Sequence, residues 1–216
     1  ASTSVIITAR STVTFNANGG SVSPTSKTVI YAEPYGTLPN PSRVGYTFQG
    51  WNNASGNRIF NTTVVNTTSN HVLNAVWKAN TYKVTLNGNG GTPASTVMNV
   101  TYGNTYGNLI TPSRAGYNFG GWYTATSGGT QITSGSRVNI TSNQTLYARW
   151  NPRTYTVFFN ANGGSVSPDS KTVSYASTYG SLPTPSRAEH TFKGWFTSAS
   201  GGSQITSSNL VSITAN

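Results

Sequence analysis

Apolar and polar residues alternate along many short stretches of the chain, and stretches rich in glycine, proline and serine separate them. In "TVTF", Val13 and Phe15 alternate with threonines. In "LYARW", Leu146 and Trp150 lie an even number of residues apart, and Arg149 lies at an alternate position between them. Because successive side chains of a strand point to opposite faces of a sheet, this alternation predicts strands with one buried face. No long window has the periodicity of a helix. The pattern therefore predicts a mainly β protein.

The pattern recurs three times along the chain. Three versions of one stretch appear, "VTFNANGGSVSP", "VTLNGNGGTPAS" and "VFFNANGGSVSP", and each precedes a version of "GYTFQGW" that ends at Trp51, Trp122 or Trp195. These tryptophans are 71 and 73 residues apart. A fixed period of this length indicates tandem structural repeats. We expect an N-terminal segment followed by three repeat domains, at residues 1–10, 11–80, 81–153 and 154–216.

Each repeat carries signals for a hairpin and a bulge. The "NANGG" stretch supplies Asn-Gly and Gly-Gly pairs, which tolerate the positive φ angles of tight hairpin turns. "KTVIY", "MNVTY" and "KTVSY" follow as predicted return strands. The glycine before each tryptophan of "GYTFQGW", at Gly50, Gly121 and Gly194, is typical of a β-bulge or a close backbone approach.

A closing strand ends the first two repeats but has no counterpart in the third. "HVLNAVW" ends at Trp77 and "QTLYARW" ends at Trp150, whereas the chain stops at Asn216 before a third version. At the other terminus, "SVIITAR" stands in the place where a closing strand precedes the later repeats. We expect it to act as a donor strand for the third repeat of another molecule. The predicted donor residues are Val5, Ile6, Ile7 and Thr8, and the predicted acceptor edge is Val211, Ser212 and Ile213.

Together these motifs resemble a known family. "NANGGSVSP", "YG.LP.PSR.GY.F.GW" and "LYARW" are similar to the Listeria–Bacteroides repeat, the B-repeat of internalins, over nearly the whole chain after about Ser11. The resemblance implies a compact β-grasp-like domain, repeated as beads in bacterial and archaeal surface proteins, with adhesive or spacing roles and no enzymatic activity. The third repeat departs from the pattern: it has Glu189-His190 where the others have Gly-Tyr, which we interpret as surface drift, and it lacks the closing strand.

The five tryptophans have two interpretations. Trp at fixed repeat positions is usually a core residue, because a domain of this size needs large apolar anchors. We therefore expect a repeat core containing Trp51, Trp77, Trp122, Trp150 and Trp195. The alternative is that Trp51, Trp122 and Trp195, with their neighbours Tyr123 and Phe196, form platforms on which sugars stack.

Basic residues exceed acidic ones, with 13 Lys and Arg against 3 Asp and Glu and a net charge of +10. They are scattered rather than clustered, which argues against specific nucleic-acid binding. Arg43, Arg114 and Arg187 recur in the "PSR" motif. They are candidate contacts for an anionic polymer, and the alternative is that each holds a loop by bonding backbone carbonyls.

Catalytic and metal chemistry lack the residues they need. The acids are Glu33, Asp169 and Glu189, the histidines are His71 and His190, and none of them recurs between repeats. No cluster has metal-ligand spacing, and there is no cysteine. The sequence therefore predicts no enzyme and no cofactor. No apolar run is long enough for a membrane span.

These observations favour an extracellular protein of the prokaryotic cell surface. The main hypothesis is a structural subunit of a filament or adhesive fibre, in which copies of the chain assemble head to tail by donor-strand complementation. The alternative is a repeat section of a larger adhesin that binds glycans or anionic wall polymers. A chain that is only a fragment of a protein with many repeats would show the same missing strand.

Overall fold

The computed structural model describes residues 8–216, and these form strands and turns with no helix. The mainly β class and the three tandem repeats are as the sequence predicts. The chain divides into two compact units, and the division runs through the second repeat. The first unit comprises the chain up to Val84 with Asn99–Gly107 and Gly135–Gln144, and the second comprises Thr85–Met98, Asn108–Ser134 and Thr145–Asn216.

The first repeat is a five-stranded sheet. Its strands are β1 Arg10–Asn16, β2 Ser26–Ile30, β3 Tyr46–Asn52, β4 Arg58–Ile59 and β5 His71–Ala79. They lie in the order β2-β1-β5-β3-β4. The closing strand β5 is therefore central: it pairs in parallel with β1 and antiparallel with β3. The last strand in sequence joins the two halves of the sheet.

The second repeat has the same order of strands. They are β6 Thr81–Asn87, β7 Ser95–Thr101, β8 Tyr117–Tyr123, β9 Gln131–Ile132 and β10 Gln144–Pro152. The sheet runs β7-β6-β10-β8-β9, so the closing strand β10 again lies in the middle and pairs antiparallel with β8.

The third repeat has four strands in two separate sheets. They are β11 Thr154–Phe158, β12 Ser170–Ser174, β13 Trp195–Phe196 and β14 Gln204–Ile205. β11 pairs with β12 and β13 with β14, and no described strand lies between β11 and β13. β13 has two residues where β3 and β8 have seven. A strand without a neighbour cannot satisfy its backbone groups, so most of the "TFKGW" stretch lacks regular pairing.

The predicted turn and bulge signals are present in the structure. Asn18 and Gly19 have φ angles of 48° and 87°, as a tight hairpin turn with two left-handed residues requires. The β3–β5 register shifts between Phe48 and Gly50, where Gly50 has a φ of 130°. Only glycine adopts that conformation readily, so the glycine before the tryptophan sets the bulge.

The buried clusters of the first and third repeats differ in size and in the strands that contribute to them. In the first repeat, Val13 and Phe15 of β1, Trp51 of β3 and Leu73 of β5 pack into one buried cluster. The third repeat has a smaller buried cluster around Tyr155, with Val173, Tyr179 and Val211. The difference follows from the absence of a central strand, since β5 contributes its own buried side chains to the first cluster.

Candidate functional site

An open groove of about 500 Å³ lies in the third repeat. One wall is formed by the end of β11 and the turn after it, from Phe158 to Asn162, and the other by the segment that leads into β13, from His190 to Trp195. These walls correspond to β1 and β3 in the first repeat, and β5 fills the space between those strands. We call this space the strand groove, because a strand occupies the matching position in both complete repeats.

The strand groove exposes aromatic side chains, one of which has a counterpart that is covered in the first repeat. Phe48 of the first repeat packs edge-on against both Trp51 and Trp77, with ring centroids 5.5 and 5.4 Å apart. Its counterpart Phe192 packs against Trp195 alone, at 5.3 Å, and is 40% exposed. Phe158 at the other wall is 72% exposed. An apolar surface of this kind is unfavourable in water and favours burial against a partner.

The strand groove also presents backbone and amide groups that hold the closing strands in the complete repeats. Trp77 Nε1 donates to Ala17 O at 2.9 Å, and Asn18 Nδ2 donates to Ala75 O at 3.3 Å. Ala161 and Asn162 have the same places in the third repeat, and both line the groove. The groove therefore offers an acceptor and a donor at the positions where a strand would bind.

An asparagine stands at the entrance of each closing position. In each repeat, the side-chain oxygen of this asparagine accepts a hydrogen bond from a backbone amide of the first strand, at 2.8 to 2.9 Å. The pairs are Asn70 with Thr12, Asn143 with Lys83 and Asn216 with Thr156. The third repeat thus keeps the local geometry at which β5 and β10 begin.

A buried tyrosine next to this entrance contacts the first residue of the closing strand. The Tyr35 hydroxyl lies 2.6 Å from His71 Nε2, and the Tyr106 hydroxyl donates to Gln144 Oε1 at 2.6 Å. Burial raises the pKa of both hydroxyls above the ordinary tyrosine value. Tyr179 is the counterpart in the third repeat and belongs to its core. This contact was not visible in the sequence pattern, since His71 and Gln144 are different residue types.

The predicted acceptor edge at Val211, Ser212 and Ile213 stays a prediction, and none of these three residues lines the strand groove. Val211 is buried, and its backbone bonds to Ala176 and Ser177 rather than facing an open edge. In the two complete repeats the closing strand lies between the first and third strands, which correspond to β11 and β13 in the third repeat. Of the predicted donor residues, Thr8 is exposed, while Val5, Ile6 and Ile7 lie outside the described residues.

The five tryptophans occupy two kinds of position. Trp51 and Trp122 are 2% and 3% exposed, and their indole nitrogens donate to Pro39 O and Ile110 O. Trp195 makes the same bond, to Pro183 O at 2.8 Å, yet it remains partly exposed because it borders the strand groove. Trp77 and Trp150, which lie near the ends of the closing strands, are half-buried.

The three recurrent arginines bond to the hairpin turn of their own repeat. Their Nη1 atoms donate to the carbonyls of Asn18, Asn89 and Asn162 at 3.0, 3.4 and 3.0 Å. In addition, the guanidinium groups of the first two stack on Tyr46 and Tyr117, at 3.9 and 4.2 Å from the ring centroids. These contacts agree with a loop-bracing role for Arg43, Arg114 and Arg187. Their contact with an anionic polymer stays a prediction.

Ionisable and metal-binding groups are sparse in the part of the chain that the structure describes. Within residues 8–216, no group of three or more His, Asp or Glu side chains is placed to hold a metal ion. The same residues include no helix with the length and apolarity needed to cross a bilayer.

Comparison with known proteins gives a consistent result. The model of the Listeria-Bacteroides repeat domain matches residues 12–76, 82–149 and 155–216. Two relatives come from Evansella cellulosilytica, and their names describe them as membrane proteins, the first as Gly-rich. The first is 32% identical over 190 residues, which cover 85% of this chain. The second is 30% identical over 189 residues, which cover 86% of this chain. Internalin H of Listeria monocytogenes is 31% identical over 93 residues, which cover 43% of this chain and 16% of that protein.

The matched relatives are much longer than this chain. It spans 21% and 27% of the length of the two Evansella proteins. The similarity therefore extends over only the matched part of each relative.

Proposed function

The chain belongs to the Listeria–Bacteroides repeat family of surface proteins, and we propose on this premise that it is a structural, non-catalytic element of an extracellular cell-surface fibre. In this proposal the N-terminal segment of one copy occupies the strand groove of another copy. The observation that carries the proposal is the open groove between β11 and β13, which matches the position of the closing strand in both complete repeats.

The junctions between repeats supply a register for the donor segment. Tyr102 N donates to Asn80 O, the residue that follows closing strand β5, and Tyr31 N donates in the same way to Ala9 O, both at 2.9 Å. Ala9 is therefore the counterpart of Asn80. Counting back from it, Ile6 takes the place of Trp77 and Ser4 that of Ala75. In this register Ile6 would cover Phe192.

Such an exchange would propagate. The donor and the acceptor are different surfaces of one molecule, so each copy that receives a strand still offers its own. The exchange satisfies two unfavourable surfaces at once, because a sheet edge gains backbone partners and an apolar strand leaves water. Assembly of this kind produces open fibres unless the rotation between copies closes a ring.

The unmodified chain and two variants test the proposal. The full chain should form fibres that are visible by negative stain and sediment as large species. Deletion of residues 1–9 should abolish them, because no donor remains. A chain with "ASTSVIITAR" added after Asn216 through a short linker should be a monomer, since its groove is filled within the same molecule. Fibres formed normally by the deletion variant would overturn the proposal.

A second candidate function is binding to an anionic wall polymer. The observation that favours it is an open cleft of about 710 Å³ in the first unit, with Arg43 and Arg137 in its lining and no acidic residue there. Binding to such a polymer should be weak and should fall steeply with salt, because exposed charges are screened beyond about 10 Å at 0.1 M ionic strength. Arg137→Ala should weaken retention on a polyphosphate column. Retention that survives half-molar salt would contradict this candidate.

A further inference from the structure

A glycine and a tyrosine form the joint between the first and second repeats. Gly45 is buried under the ring of Tyr102, and its φ is 78°. Asn80 N donates to Gly45 O at 2.9 Å, which fixes the following repeat against this corner. Tyr46 next to it meets Tyr102 edge-on, with centroids 5.5 Å apart. A Cβ atom at residue 45 would overlap with the tyrosine ring.

The joint between the second and third repeats has the same construction. Gly116 is buried against the ring of Tyr175, its φ is 76°, and its carbonyl accepts from Arg153 N at 2.9 Å. Tyr117 meets Tyr175 at 5.3 Å. Two joints with matching contacts indicate that glycine at this corner is a requirement for stacking a following repeat.

The third repeat breaks this rule at one residue. Glu189 stands where the other repeats have glycine, and its φ of 60° keeps the same left-handed turn. A non-glycine residue is unfavourable in this conformation, because its Cβ atom crowds the backbone. With a side chain there, the ring of a following tyrosine cannot lie on the corner as Tyr102 and Tyr175 do. Glu189 is exposed, and so is Tyr31, the tyrosine of the first repeat at the matching position, which is 48% exposed.

The residue that enters the joint also differs at the start of the chain. Asn80 and Arg153 bond to the corner glycines, and a threonine follows each of them. Ala9 is their counterpart at the start of the chain, and Arg10 follows it. One of the three acidic residues of the chain thus replaces the corner glycine, and a basic residue replaces the threonine on the opposite side of the same joint. We propose that Glu189 of one copy pairs with Arg10 of the next, in place of the glycine–tyrosine contact.

This pairing rests on the proposed function, because it requires the donor segment of a second copy in the strand groove. There, Ala9 N would bond to Glu189 O, as Asn80 N bonds to Gly45 O. Arg10 is the next residue, so its long side chain comes within reach of the Glu189 carboxylate. Opposite charges at one joint favour the intended partner and penalise a wrong one.

Charge reversal provides the test, with fibre formation by the full chain as the reference. Since reversal adds repulsion to the lost attraction of an exposed ion pair, Arg10→Glu and Glu189→Arg should each raise the critical concentration for assembly by about three- to tenfold. The double reversal should restore it. Net charge alone predicts a different order: Arg10→Glu lowers the positive charge of the chain and would ease assembly, whereas the ion pair predicts that it hinders assembly.

The outcomes separate the two proposals. If the unmodified chain forms no fibres, the donor-strand function fails and the ion pair fails with it. If the unmodified chain assembles and both single reversals assemble equally well, or the double reversal does not recover, the ion pair alone is overturned. Weakening by both single changes with recovery in the double reversal supports it.

Discussion

Single residues at equivalent places in the repeats have different surroundings, and the tryptophans make the difference clear. Trp51 and Trp122 are enclosed because closing strands complete their sheets, whereas Trp195 makes the same indole hydrogen bond and stays partly exposed. The burial of a side chain in these repeats therefore depends on whether the central strand is present. The sugar-stacking interpretation of the strand tryptophans would require them to be exposed in the complete repeats.

Truncation of two equivalent tryptophans should have unequal effects. Trp122→Ala should lower the free energy of unfolding by about 3–5 kcal/mol, as removal of a large core side chain does. Trp195→Ala should cost clearly less in the monomer, because much of its surface already contacts water. Denaturant unfolding followed by far-UV circular dichroism measures both. Equal losses at the two positions would contradict this difference in burial.

The buried tyrosine at the closing strand predicts a loss of stability in alkali. The pKa of Tyr35 is raised by burial above its ordinary value of about 10. Because the folded state holds its proton more firmly, this contribution is fully present below pH 10 and is lost as the pH rises through the raised value. Removal of the hydroxyl in Tyr35→Phe should make the decline of stability between pH 9 and 12 less steep than in the unmodified chain. Identical slopes in urea unfolding series at these pH values would contradict the prediction.

At the scale of elements, alternation and turn residues were sufficient to predict most strands. The return strands β2, β7 and β12 lie where "KTVIY", "MNVTY" and "KTVSY" predict them. What the sequence did not reveal is pairing between distant segments. Nothing local in the sequence shows that the closing strand of a complete repeat inserts between its first and third strands. The shortness of β13 likewise depends on a partner and not on its own residues.

The joints were also hidden in the sequence, since Gly45 and Tyr102 belong to different repeats. Replacing Gly116 by Ala should destabilise the chain through two effects, a left-handed φ and overlap with Tyr175. Gly107→Ala is the matched control, because Gly107 has a φ of 70° and nothing within 4 Å of the added methyl. The control should cost about 1–2 kcal/mol for its left-handed φ, and Gly116→Ala should cost about 1–3 kcal/mol more, as overpacking does. Thermal unfolding measures the difference, and equal costs would contradict the joint.

At the scale of the whole molecule, the proposed donor segment and its proposed acceptor lie in different parts of the chain. The strand groove lies in the third repeat, and the segment in the place of a closing strand lies at the other terminus. The chain has a net charge of +10, so identical copies repel one another electrostatically before they come into contact. Head-to-tail assembly would therefore be favoured by higher salt, which screens this repulsion. Binding to an anionic polymer has the opposite salt dependence.

The most direct test of the central claim is a disulfide formed between two different variants. The chain has no cysteine, so each variant carries one. In the proposed register Ile6 lies beside Phe192, as Trp77 lies beside Phe48 in β5 and β3. Paired strand residues are close enough for a disulfide. Ile6→Cys mixed with Phe192→Cys under oxidising conditions should give a cross-linked dimer, whereas Ile6→Cys mixed with Phe119→Cys, in a repeat whose strand is already present, should not. No cross-link with Phe192→Cys, or equal cross-linking with the control, would show that the N-terminal segment does not fill the groove.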